Sequence, residues 1–347
     1  MRNTAEILWL VFCSAVFVIV ITSCKNSSQE QNHFQRIIDY KKVETSRKIV
    51  ATMVRNPKVV EIIDNKLVIG EVGGSPSIHI FNIKEDGGVE YFKGLGRVGR
   101  GPGEYERLME IIDADSLFYV YDGNQFSLTA YDMNGELLDQ KRRELTTRGL
   151  PNSMFMLEDG SVVAVGVFLN ERFQIFDETT ESKISHGEYI VFDDKFTSRD
   201  NGIAWLSHGA MNQAQNYIYL FTENAEFIEK YDLEGELLKR VQGNEYPVPS
   251  MILEDNWPVD NNGIVGYTDV ISNDQHLYAS YSGKPRSDDS ISPFETDLIQ
   301  KFDWNLNLLQ GFKLDHEPTE FVVNNDEMIY TLNETDKGYE IRVGQLR

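Results

Sequence analysis

The sequence predicts an all-β fold, a six-bladed β-propeller with an N-terminal strand closing the last blade. Two internal repeats and one spare strand predict it. The octapeptide YDMNGELL at 131–138 returns as YDLEGELL at 231–238, with an echo FDWNLNLL at 302–309. Each reads as strand, tight turn, strand, and the Asn-Gly and Glu-Gly pairs stand where a hairpin requires positive φ. Upstream of each lies a second pattern, an apolar strand, a polar turn and a β-branched or aromatic strand. It recurs as VVEIIDNKLVIG, EIIDADSLFYVY, FMLEDGSVVAVG, QNYIYLF, DVISNDQHLYASY and FVVNNDEMIYTL. With Leu67, Phe118, Val163, Ile218, Leu277 and Ile329 as equivalent positions, the units are spaced by 45 to 59 residues, a blade-sized period. The sixth unit has room for three strands only, and the segment 47–54 (RKIVATMV) is a strand without a unit. It is predicted to complete the sixth blade and tie the ends of the ring together, which removes exposed sheet edges. Two separate β-sandwiches are the alternative architecture.

Taken in order, the chain opens on Arg2, an apolar run from Ile7 to Ile21 and the tetrad Ile21-Thr22-Ser23-Cys24. The run is too short for a bilayer span, which needs about 20 residues. It reads as a signal peptide over 1–23 whose tetrad resembles a bacterial lipobox, with Cys24 as the lipidated first mature residue. An uncleaved signal anchor is the alternative. Residues 24–45 form a polar tether, KNSSQEQNHFQ at its start, and 46–347 form the propeller. The expected address is the bacterial cell envelope, at the outer membrane, with membrane lipid as a partner through Cys24.

Composition narrows the chemistry. The 347 residues are 41% hydrophobic, enough for a folded body, and carry a net charge of −22, which argues against a nucleic-acid partner. Of two cysteines, Cys13 falls in the leader and Cys24 at its end, so no thiol is left for a disulfide, a zinc site or a nucleophile. The six histidines show no metal-ligand spacing, and there is no GxSxG elbow. The run GLGRVG at 94–99 matches GxGxxG, but Gly101-Pro102-Gly103 follows where a dinucleotide site needs a helix, so the glycines are read as a tight interblade loop.

The stretch Gly94-Leu95-Gly96-Arg97-Val98-Gly99-Arg100-Gly101-Pro102-Gly103-Glu104-Tyr105, with the six units and the lipobox, resembles the TolB-like six-bladed propeller lipoproteins of Gram-negative gut-type bacteria. The resemblance spans the mature chain and implies the fold. It carries over no reaction and no catalytic residue.

Two constellations remain as candidate sites. The glycine loop and the long fifth-unit connection 282–294 (SGKPRSDDSISPF) are expected on one face of the ring. There Arg97, Arg100, Arg107, Arg142, Arg143, Arg148, Lys284 and Arg286 would make a positive mouth for a carboxylate, sulfate or phosphate group. The contacts expected for a ligand are Arg97, Arg100, Glu104, Tyr105, Trp257, Lys284 and Arg286, with a protein, peptide or glycan as the partner. The plain alternative is that these cations pair with nearby acids such as Glu104, Glu106 and Glu144. The second constellation is acidic: Glu61, Glu110, Asp269 and Glu320 each stand at or near the start of an inner strand. In register they would converge on the channel axis and raise one another's pKa, or hold a hard cation such as calcium. The functional expectation is a non-catalytic binding module. The alternative is a metal-assisted hydrolase or lactonase acting through that ring.

Overall fold

Among the described residues, six four-stranded meanders make up most of the β-structure. The structure, a computed structural model, describes residues 32–33, 39–138, 142–145, 149–177, 183–190, 194–255, 257–287 and 292–346. The leader 1–23, Cys24 and Arg148 lie outside the described residues. Two units are distinguished, Met1–Asn32 and His33–Arg347, and the second contains the blades. Among the described residues no helix is long and apolar enough to cross a membrane.

From the inner strand outward, blade 1 comprises Pro57–Ile63, Lys66–Glu71, Ile78–Ile83 and Val89–Leu95. Blade 2 comprises Leu108–Ala114, Leu117–Asp122, Ser127–Asp132 and the short Arg143–Glu144. Blade 3 runs through Leu150–Met156, Val162–Val167, Phe173–Phe176 and Lys183–His186, and blade 4 through Ser207–Asn212, Tyr217–Thr222, Phe227–Asp232 and Leu237–Gln242. Blade 5 is Ile264–Ser272, Leu277–Pro285, Leu298–Phe302 and Leu308–Leu314. Blade 6 is Glu320–Asn324, Met328–Thr335 and Gly338–Gln345, and its outer strand is Thr45–Ala51.

The closing strand is therefore the one expected, beginning two residues earlier than predicted. Ile49 faces Ile341 across the antiparallel pair. The strand stops at Ala51 because Thr52 and Met53 turn, with Val54 N–H donating to Ala51 O at 2.9 Å, and this drops Val54 into the core shared by blades 6 and 1. The propeller also begins before residue 46. Lys41–Val43 adds a parallel strand outside blade 5, pairing with Phe312–Leu314, and Val43 is buried between blades 5 and 6. The same chain segment thus bridges two outer edges.

Each inner strand packs against the next around the ring, and that of blade 6 against that of blade 1. Between each pair of blades lies one apolar cluster. Phe118 and Tyr131 of blade 2 pack on Val68, Ile78 and Ile80 of blade 1, while Phe221 of blade 4 meets Tyr267 and Phe302 of blade 5. The alternation of the strands explains this: one side of each blade fills the gap to the preceding blade, the other the gap to the following one.

The repeated turn holds for a second reason besides glycine. Gly135 and Gly235 take φ of 73° and 86°, and Leu306 takes φ of 60° in the third copy. The aspartate opening each turn caps it: Asp132 Oδ1 accepts the N–H groups of Asn134 and Glu136, and Asp303 Oδ1 those of Asn305 and Asn307.

A chain beginning at Met53 is expected to lose cooperative melting and to aggregate. It leaves Gly338–Gln345 as an unpaired edge and exposes the buried positions Ile341 and Val343. Circular dichroism melting and size-exclusion chromatography check this.

Candidate ligand site in the central channel

The inner strands surround a cavity of about 900 Å³ that runs the height of the ring. At one end it is bordered by Phe294 of the long blade 5 connection and by Pro318 and Thr319, and at the other by the first turns of the blades, including Asp64, Asn65, Asn325 and Asp274. All four predicted carboxyl residues, Glu61, Glu110, Asp269 and Glu320, line it.

Strand register sets their heights. Glu110 faces Tyr121, Asp269 faces Ser280 and Glu320 faces Leu332, in each case three residues beyond the unit marker on the second strand. These three therefore share one level. His208, facing Phe221, joins them from blade 4. Glu61 departs from the expected register: it faces Val68, two residues nearer the first turn, and so sits deeper. Four inner strands slip by one residue close to this level, between Pro57 and Val59, Leu108 and Glu110, Pro151 and Ser153, and Tyr267 and Asp269. In blade 1 the extra residue is Lys58, which lines the cavity, and in blade 3 it is Asn152. A bulge re-aims side chains without lengthening the strand.

The electrostatics follow from enclosure. Burial first, and then the charges of Asp269 and Asp113, push the Glu61 carboxyl up to about 8. Burial and Glu61 drive Glu110 well above the usual range, and burial and Asp269 do the same to Glu320. Burial raises Asp269 as well, against the pull of His208, its own Val270 N–H and Lys58. A carboxyl in such surroundings keeps its proton because the charged form has lost its water and meets like charges. Glu110 and Asp269 accept only from the N–H of the next residue, Ile111 at 3.2 Å and Val270 at 2.8 Å. Among the described residues Glu61 and Glu320 accept no hydrogen bond.

Among the described residues no three His, Cys, Asp or Glu side chains come close enough together to hold one metal ion. The four carboxyl residues share one cavity on two levels, Glu61 deeper than the other three, and blade 3 presents Asn152 and Ser153 to it.

Four cations of the predicted positive mouth, Arg97, Arg100, Lys284 and Arg286, are paired with acids. Arg97 Nε donates to Glu104 Oε1 at 2.7 Å and Arg100 pairs with Glu106 at 2.8 Å. Lys284 pairs with Glu317 at 2.9 Å and Arg286 with Glu223 at 2.7 Å. Each cation is offset by an acid, the plain alternative to a binding patch. Arg107 is exposed, Arg142 donates to Gln125, and Arg143 is held by the carbonyls of Gly160 and Asp177 in blade 3.

Glu104 and Tyr105 are structural. The Gly101 N–H and Arg97 bind the Glu104 carboxylate and hold it below its ordinary pKa, while Gly99, at φ 154°, leaves the space it fills: a Cβ there would lie 2.2 Å from Oε2. Tyr105 is 2% exposed in the cluster between blades 1 and 2, with its hydroxyl 2.8 Å from that of Tyr131. The glycine loop is thus a clamp between blades. Its aromatic is drawn inward by the apolar area it buries, roughly 2–3 kcal/mol for a large side chain.

Trp257 remains exposed, at 50%, on the hairpin Met251–Glu254 and Trp257–Asp260 between blades 4 and 5, with the Arg199 guanidinium 4.7 Å above its ring. Arg286 does border the channel indirectly. It bonds Glu223 and Asn224 and lies 4.9 Å from the Phe294 ring, and Glu223 stands 3.5 Å from His208. Burial opposes ionisation of Glu223, but His208 and Arg286 hold its pKa below the ordinary value. Sequence reasoning missed Lys58, Asn152, His208 and Glu223. No sequence column marks the level: Glu110 and Asp269 stand eight residues before their unit markers, Glu320 nine and His208 ten, and only turns of different length bring them into line.

Six blades closed around a polar, cavity-forming axis define a six-bladed β-propeller. Residues 33–326 match the family model described as TolB-like 6-blade propeller-like, and the chain belongs to that family. It is similar in fold to a protein from Bacteroides fragilis, at 14% identity and TM-score 0.55, with 91% of this chain and 98% of that chain covered. A member of the DUF4221 family from Bacteroides vulgatus is also similar, at 12% identity and TM-score 0.54, covering 87% of this chain and 96% of that one. A search of curated protein sequences finds no match to this chain.

Proposed function

We propose that this chain is a lipid-anchored envelope propeller that binds a small polar molecule in its central channel without transforming it. The observation that carries the reading is the convergence on one cavity of about 900 Å³ of Lys58, Glu61, Glu110, Asn152, His208, Asp269 and Glu320 from six inner strands. A cavity of this size suits a small ligand, and a few convergent polar groups are what fix orientation in such sites. The rim cations are already paired, so recognition moves from the mouth to the axis. The carboxyl residues act as hydrogen-bonding and charge-bearing walls.

A thermal-shift panel of amines, amino acids, sugars and dicarboxylates tests the reading. A ligand that binds the folded state raises the midpoint by mass action, by about 2.7 kcal/mol of stability at a hundredfold excess over Kd. The shift is expected to vanish in Thr268→Trp, which adds an indole to the channel wall beside Asp269. A shift that survives this substitution would place the ligand elsewhere.

The lipobox-like tetrad supports anchoring through Cys24. Cys24→Ala is expected to leave the leader uncleaved and to abolish incorporation of labelled palmitate. Palmitate labelling and intact mass in a Gram-negative host provide the check.

A further inference from the structure

Resting on the anchoring reading, we infer that the outer rim of blades 4 and 5 is a membrane-facing surface that holds the ring edge-on against a bilayer bearing anionic headgroups. The path of the N-terminal segment points to this edge. The short strand ending at His33 lies outside Leu237–Gln242 of blade 4, and Lys41–Val43 lies outside Leu308–Leu314 of blade 5, before Thr45–Ala51 closes blade 6. The chain thus comes onto the ring at the rim of blade 4. His33 stands nine residues after Cys24 in sequence, and a link of that length spans about 30 Å at most. An acylated Cys24 therefore tethers the ring by this edge.

The side chains of these strands fit such a surface. KKV at 41–43, LLKRVQ at 237–242 and LLQGFKL at 308–314 carry Lys41, Lys42, Lys239, Arg240 and Lys313 and no acid, in a chain of net charge −22. Arg240 is held by Glu229, and Lys313 stands 3.4 Å from Asp297. Lys41 and Lys239 instead reach backbone carbonyls, those of Leu346 and Asn305, and Lys42 is exposed with no acid beside it among the described residues. The exposed acids nearest by, Glu44, Glu234 and Glu236, stand at the strand ends. The repeat sets an apolar side chain among the cations. Leu238 and Leu309, the last residues of YDLEGELL and FDWNLNLL, are 42% and 49% exposed, whereas Leu138, the same position in the first copy, packs on the core between blades 2 and 3. Lysines on an edge strand also keep it from pairing with another chain, but exposed leucines have no part in that. Exposed leucine beside lysine suits the boundary between acyl chains and anionic headgroups, while the negative field of the rest of the molecule turns the other edges away. Held edge-on, the ring has its channel axis along the membrane, and lipid covers neither mouth.

The test asks which edge meets the bilayer, with the full chain reconstituted in vesicles of phosphatidylethanolamine and phosphatidylglycerol. Leu309→Cys, Phe92→Cys and Phe126→Cys each carry one fluorophore, on the outer strand of blade 5, on the outer strand of blade 1 and between the second and third strands of blade 2. Lipids bearing a nitroxide on the acyl chain are the quencher. Quenching at Leu309→Cys is expected to exceed that at the other two at least about threefold. Adding Lys42→Glu and Leu238→Glu is expected to bring it down to their level, while the chain still melts cooperatively and still floats with the vesicles. The inference is overturned if the three labels are quenched equally, if Phe92→Cys or Phe126→Cys is quenched most, or if the added substitutions leave the quenching at Leu309→Cys unchanged. Intact mass and flotation separate the two failures. An acylated chain that floats without this contrast leaves the anchoring reading standing while this one falls, and a chain without acyl groups on Cys24 overturns both.

Discussion

Raising the pH from 5 to 9 is expected to lower the stability of this protein by several kcal/mol. The unfolded Glu61 carboxyl loses its proton near 4.5, while the folded one keeps it until about 8. Below 4.5 both states are protonated and the contribution of this group is complete. Between the two values the native state holds a proton that the unfolded state has released, so stability falls as pH rises, and above 8 the loss levels off. At about 1.4 kcal/mol per unit, and with some screening by channel water, this one group accounts for roughly 3–5 kcal/mol. Glu110, Asp269 and Glu320, raised by the same enclosure, act in the same direction. Urea denaturation across this range measures the slope, and Glu61→Gln should flatten much of it. A stability that instead climbs from pH 5 to 8 would show that the carboxyls are ionised and solvated in the folded protein.

Glu229→Ala is expected to cost about 3–5 kcal/mol, the range for removing one partner of a buried ion pair. Arg172 and Glu229 are 3% and 2% exposed, with Arg172 Nη2 at 2.9 Å from Glu229 Oε2. The guanidinium also donates to the Trp205 carbonyl at 2.6 Å and to Ser207 Oγ at 3.1 Å, and it lies over the rings of Tyr189 and Trp205. It therefore pins blade 3 to the start of blade 4. Without Glu229 its charge stays buried with no counterion, and Arg240, which binds the other carboxylate oxygen, loses its partner too. The midpoint of urea unfolding reads the effect. Arg172→Met with Glu229→Met should recover much of the loss, because an apolar pair of similar volume carries no stranded charge.

Much of the fold was legible because its signals are local. The Asp and Gly of the repeated turn act within a few residues of one another, and the missing fourth strand of the last unit left only 47–54 to fill it. The site was less legible because its determinants are not local. One extra residue in an inner strand, as at Lys58 or Asn152, changes which side chain faces the axis without changing the apolar pattern, and Glu61 sits deeper than Glu110 because it stands six residues before its unit marker instead of eight. Arg286 and Glu223 are 63 residues apart in sequence, and nothing near either announces the pair. Tyr105 illustrates the converse: an aromatic next to a glycine loop reads equally well as a rim contact or as a buried plug. Only the position of blade 2 decides.

The clasp of the ring also fixes an order of events in time. Ile49 is synthesised 292 residues before its partner Ile341, so a strand that leaves the ribosome ahead of blade 1 can pair only after blade 6 is made. Until then its backbone donors and acceptors, and the apolar face bearing Ala51 and Val54, stay uncovered. Contacts this distant in sequence make closure slow and leave a sticky intermediate. An open ring short of one strand in its last blade persists until then, and refolding of the full chain from urea should show a late phase of closure.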